Sequence, residues 1–108
     1  MPAVAMGRAE QLQEFIRQSP NDPFPRYGLA LEFKNGGRLD DAVSAFAELM
    51  ATFPDYTAAY LHAGNTLVGL SRKTDAAEVF RRGIEACVRK RDLHAKSELE
   101  AALAELES

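Results

Sequence analysis

Cysteine occurs once in the chain, at Cys87, so no disulfide can form within it, and stability has to come from packed apolar surface, as in a reducing compartment. No apolar run approaches the ~20 residues that a membrane-spanning helix requires. Residues 1–7 also lack the basic start and long apolar stretch of a secretory signal. These absences lead us to expect a cytoplasmic protein with no membrane partner. Neither sign of charge dominates: 13 Lys and Arg stand against 16 Asp and Glu, a net charge of −3. That balance provides no general attraction to nucleic acid. A glycine-rich phosphate loop is missing too, since Asn35-Gly36-Gly37 runs into the acidic pair Asp40-Asp41. At 108 residues the chain is one domain, able to bury roughly two thirds of its unfolded surface. Its apolar content of 46% and charged content of 27% are those of a globular protein, not a disordered one.

What the chain does have is one pattern written twice. Arg38, Asp41, Ala42 and Phe46 recur 34 positions later as Arg72, Asp75, Ala76 and Phe80. Residue classes repeat around these identities: Leu29-Ala30 answers Ala63-Gly64, Phe33 answers Leu67, and Met50 answers Ile84. Three of the four identities fall in one short turn-to-helix segment, where a shared structural unit would place them. Apolar spacing within each copy is helical, so each copy reads as a pair of helices, A and B.

This period resembles the tetratricopeptide repeat. The likeness is carried by Leu29, Ala30, Phe33, Gly37, Ala42, Phe46 and Pro54, then by Tyr60, Ala63, Gly64, Leu67, Ala76 and Phe80. The chain departs from the pattern at Arg26, where an aromatic is expected, and at Val88, where the closing proline is expected. We expect Arg26 to loosen the start of the first helix A and Val88 to let the last helix B run on. The resemblance to small bacterial-type members implies an all-α fold, a right-handed α-α superhelix of helix hairpins, made of half a repeat, two full repeats and a C-terminal capping helix.

Taken in order, residues 1–7 form a frayed lead-in and residues 8–108 one repeat domain. Residues 8–20 are a helix B without its partner, because Leu12, Phe15, Glu14 and Pro20 align with Phe46, Leu49, Glu48 and Pro54. Residues 23–56 form the first repeat, with Asp22 or Pro23 starting a helix, Leu29 and Phe33 on its buried side, and Asn35-Gly36-Gly37 ending it. Asp40 is the expected N-cap of the first helix B and Thr74 that of the second, with residues 57–90 as the second repeat. Residues 92–107 form the cap, carrying Leu99, Leu103 and Leu106 along one side. Ala30, Ala42, Gly64 and Ala76 are the small contacts that let helix axes approach to about 8–10 Å.

Titratable residues give little support to an enzyme, so we expect no catalytic group, metal or cofactor. His62 and His94 stand apart from Cys87 and from any carboxylate at ligand or triad spacing. Cys87 lies on the apolar side of its helix as a core thiol. Arg81, Arg82, Arg89, Lys90, Arg91 and Lys96 spread over more than one helix face without interleaved aromatics, which reads as a solvated surface. What remains is the concave side of the array, lined by helix A residues that do not enter the core. Tyr27, Leu31 and Leu61 would form an apolar trough there with His62, Asn65 and Lys96 as polar pegs, and Phe24, Lys34, Val68, Ala95 and Leu99 nearby. Alternatively, Tyr27 and Leu61 simply pack under neighbouring helices. Family members that bind carboxyl-terminal peptides place a lysine and an asparagine where this chain has Tyr27 and Leu31, which argues against that carboxylate clamp. The resemblance therefore implies a non-enzymatic adaptor that docks a short segment of another protein. Its alternative is a homodimer formed through Leu99, Ala102, Leu103 and Leu106 of the cap.

Overall fold

A computed structural model of the chain describes residues 7–108, and the N-terminal part of the expected lead-in lies outside the described residues. Six α-helices follow one another: α1 (Arg8–Gln18), α2 (Pro23–Asn35), α3 (Leu39–Thr52), α4 (Ala58–Gly69), α5 (Lys73–Lys90) and α6 (Leu93–Glu107). Each helix packs on the next. In addition, α2 touches α4 and α4 touches α6, whereas α1, α3 and α5 make no contact with one another. The stack therefore curves with α2, α4 and α6 inside. Its dimensions of 56 × 28 × 19 Å and radius of gyration of 14.8 Å are those of an elongated array, since a compact domain of this size has a radius near 13 Å.

Two kinds of turn build the stack, and local chemistry explains both. Helices α1 and α3 end alike at Ser19-Pro20 and Phe53-Pro54. The N–H of Ser19 reaches the carbonyl of Phe15, and that of Phe53 the carbonyl of Leu49, each at 2.8 Å, with near-identical backbone angles at the two residues. Proline restricts the residue before it to extended geometry, so the helix stops there. Helix α2 ends through Gly37 at φ +79°, with the Arg38 N–H bonded to the Phe33 carbonyl at 2.9 Å. The same closure recurs after α4 at Ser71 (φ 60°) and after α5 at Arg91 (φ 55°). Val88 stands where the proline would be, and α5 accordingly runs 18 residues against 14 for α3.

The four repeated identities have a structural meaning. Ala42, Phe46, Ala76 and Phe80 are 0–1% exposed. Arg38 and Arg72 sit at the N-caps of α3 and α5, and their Nε atoms donate to Asp41 at 2.8 Å and Asp75 at 3.0 Å. Asp40 and Thr74 are therefore not the caps: each helix begins two residues before the expected position, because the left-handed turn residue delivers the chain directly into helical geometry. Asp22 does cap α2, accepting from the Phe24 N–H at 3.0 Å, and Pro23 is the first helical residue.

Close contacts run along the interior. A Cβ on Gly64 would lie 2.6 Å from Phe80 Cδ1, and one on Gly83 would lie 2.9 Å from Leu99 Cδ1, so α4 meets α5 and α5 meets α6 through missing side chains. Four apolar positions depart from expectation. Phe15 is 53% exposed, because no helix covers that flank of α1. Leu29 and Phe33 are only half-buried; Ala30 takes the innermost place on α2, and Arg38 stacks over the Phe33 ring at 4.6 Å. Leu99 is 1% exposed and belongs to the core, not to an open face.

Candidate functional site

On the inner side, α2, α4 and α6 bring three of the six expected residues, Tyr27, Leu61 and His62, around one cavity, while Asn65 borders another. Tyr27 is half-buried, its ring 5.3 Å from that of Tyr56 and 5.8 Å from the His62 imidazole. His62 in turn lies parallel to Phe46 at 6.4 Å. Thus Tyr27 both packs against neighbours and keeps part of its surface open. Leu31 and Leu61 are likewise half-buried against the core cluster. A cavity of about 210 Å³ opens between Tyr27, Leu61, His62, Ala95 and Glu98.

Electrostatics at His62 follow from its surroundings. Burial, then the Lys34 ammonium, hold its imidazole below the ordinary value, and Glu98 opposes them weakly. Lys34 Nζ lies 3.2 Å from Nδ1. An ammonium can only donate, so Nδ1 accepts and the ring proton sits on Nε2. Burial lowers the Lys34 ammonium as well, and raises the phenols of Tyr27 and Tyr56.

Asn65 stands one turn along α4, exposed, with its amide unengaged among the described residues. It borders a second depression of about 330 Å³ with Val68, Ala102 and Leu106. Lys96 is half-buried and pairs with Glu100 at 3.4 Å. Sequence reasoning missed Tyr56, whose ring meets that of Tyr27, and Glu98, which lines the cavity. The signal for Tyr56 was its position just before α4, opposite Tyr27; Glu98 gave none, since its place depends on how α6 crosses α4.

No family model and no curated protein matches the sequence. Solved structures do. A tetratricopeptide repeat domain protein from Salinibacter ruber, determined in solution, is 36% identical and superposes with a TM-score of 0.77, covering 82% of this chain and 89% of that one. A crystal structure of a tetratricopeptide repeat domain protein from the same organism gives 36% identity and a TM-score of 0.76, over 81% of this chain and 98% of that one. The chain belongs to the tetratricopeptide repeat family. A protein from Bordetella parapertussis, 21% identical, shares the fold with a TM-score of 0.79 over 95% of this chain and 90% of that one.

As a tetratricopeptide repeat protein it is an all-α superhelix of helix hairpins, a fold generally used for protein–protein interaction and typically non-catalytic. Among the described residues no three His, Cys, Asp or Glu side chains gather as metal ligands, and no helix is long and apolar enough to cross a membrane. Cys87 is 1% exposed, and burial pushes its thiol up. Two of the six basic-cluster residues are engaged across the fold: Arg81 pairs with Glu107 at 2.7 Å and Arg89 with Asp55 at 2.8 Å.

Proposed function

We propose that this tetratricopeptide repeat protein is a non-enzymatic adaptor that docks a short segment of a partner protein on the inner face, against Tyr27, Leu31, Leu61, His62, Asn65 and Lys96. One observation carries the reading: Asn65 offers an unengaged amide beside half-buried apolar side chains. A side-chain amide can donate to and accept from an extended peptide backbone, while partly open leucine and tyrosine surface takes its side chains. The contact area of three short helices is small, so the affinity is modest and the exchange fast.

The homodimer alternative would use the apolar side of α6. Leu99 is spent inside the protomer, and Ala102, Leu103 and Leu106 already pack against the core, which favours the inner face. To test the proposal, the chain and its Asn65→Arg variant are each immobilised and used to capture proteins from the native cell extract. The expected outcome is a protein held by the parent and released by the variant, with the far-ultraviolet circular dichroism of the two identical. Equal capture by both would place the interaction elsewhere. Sedimentation of a dimer that Leu103→Glu dissociates would favour the alternative.

A further inference from the structure

On the outer side, away from the inner face, a cavity of about 640 Å³ opens between α1 and α3. Arg26 and Leu29 of α2 line it, together with Ile16 from α1 and Ala45 from α3. One repeat period later a cavity of about 410 Å³ lies between α3 and α5, and its lining includes Met50, Ala63 and Val79, the counterparts of Ile16, Leu29 and Ala45. The two are the same groove in successive repeats. Their linings differ at several positions, Glu48 answering to Arg82 among them, and the counterpart of Arg26 is Tyr60, which is 2% exposed and donates its hydroxyl to the Pro54 carbonyl at 2.6 Å. Arg26 is left without such a partner, for its Nε is buried and makes no hydrogen bond.

A buried donor on a cation is costly to leave unpaired, and native proteins seldom do so without a reason. Glu10 and Glu48 also line this groove, and neither has an ion-pair partner among the described residues. Arg17 in the same wall is taken up by Glu14, so the groove offers one unpaired cation, Arg26, over an aliphatic lining, with two acids beside it. We propose that it is a second docking site, taking a short protein segment in which one aspartate or glutamate stands between aliphatic residues and is flanked by lysines. The carboxylate accepts from Arg26, the aliphatic side chains cover Ile16, Leu29 and Ala45, and the lysines meet Glu10 and Glu48. A strongly acidic segment or a phosphate backbone would be repelled by those two carboxylates.

The test is a nuclear magnetic resonance titration with the peptide acetyl-Lys-Leu-Asp-Leu-Lys-amide, following the Arg26 Nε–Hε signal and the methyl groups of Ile16 and Leu29. We expect saturable shifts at these three residues, and about tenfold weaker binding when asparagine replaces the aspartate, as loss of a charge-assisted hydrogen bond requires. Arg26→Tyr should abolish the shifts at Ile16 and Leu29 without lowering the melting temperature, because the second repeat already accommodates an aromatic there. Arg26→Lys, which keeps the charge but removes the planar donor set, should weaken binding in a fold that is unchanged. Asn65→Arg should bind the peptide like the parent, separating this site from the inner face. The proposal is overturned by shifts centred on Leu61 and His62, by equal binding of the asparagine peptide, or by inorganic phosphate reproducing the Arg26 shift. Absence of saturation at millimolar peptide overturns it as well.

Discussion

Gly64 shows how much can turn on one side chain. Its missing Cβ is the space in which the Phe80 ring sits, at the crossing of α4 and α5. Gly64→Ala should therefore cost about 1–3 kcal/mol by overpacking, even though alanine is the better helix former. A urea melt finding the variant as stable as the parent would contradict the contact. Phe80→Ala removes the same contact from the other side and should cost more, about 3–5 kcal/mol, a large share of the stability of so small a domain. His62 sets a pH dependence. Its folded value lies below its unfolded one, first through burial and then through Lys34. The folded state thus binds fewer protons than the unfolded chain. Stability should be full above the unfolded value near pH ~6.5 and decline as the pH falls from there toward the folded value. His62→Gln keeps an acceptor for Lys34 and should flatten the part of the melting-temperature profile between about pH 5 and 7. A parent and variant with parallel profiles would show that the imidazole stays open to water.

At the scale of the helix, the turns decide where each element starts. The left-handed closure after α2 uses Gly37, but the equivalent closure after α4 uses Ser71 at φ 60°. A side chain in that region costs ~1–2 kcal/mol, and glycine loses ~0.5–1 kcal/mol of extra chain entropy on ordering, so Ser71→Gly should stabilise by about 0.5 kcal/mol. Differential scanning calorimetry should register this as a small rise in melting temperature; a fall would mean that the serine side chain compensates its backbone. This turn chemistry also explains the cap positions. Asp40 and Thr74 have the composition of N-caps, yet Arg38 and Arg72 occupy those places. In both hairpins the arginine side chain folds over the first turn to pair with Asp41 or Asp75, which keeps a negative group near the helix N-terminus.

At the scale of the whole molecule, stability is a sum over neighbours. In the stack α1 rests on α2 alone, while α3 and α4 are each held on both sides. Hydrogen exchange should accordingly release the α1 amides first, and those of α3, α4 and the first half of α5 last. Uniform protection along the chain would instead describe one indivisible cooperative unit. The same one-dimensional order separates the two faces: α2, α4 and α6 gather on the inside, and the outer grooves open between α1, α3 and α5 because those helices never meet.

The period of 34 residues, the small contacts at Ala30, Ala42, Gly64 and Ala76, and the proline stops at Pro20 and Pro54 are all written in the order of residues, because each acts over a turn or two of backbone. Val88 likewise announced the longer α5 by withholding a proline. Reading the chain alone could not place Leu99 in the core or Phe15 in solvent, nor foresee that Lys34 would meet His62. Those outcomes depend on which helix crosses which, and at what distance. Arg26 joins both kinds of knowledge: its departure from the repeat was visible in the chain, whereas the buried, unpaired Nε in the wall of a groove appears only once α1 and α3 are set apart by the curvature of the stack.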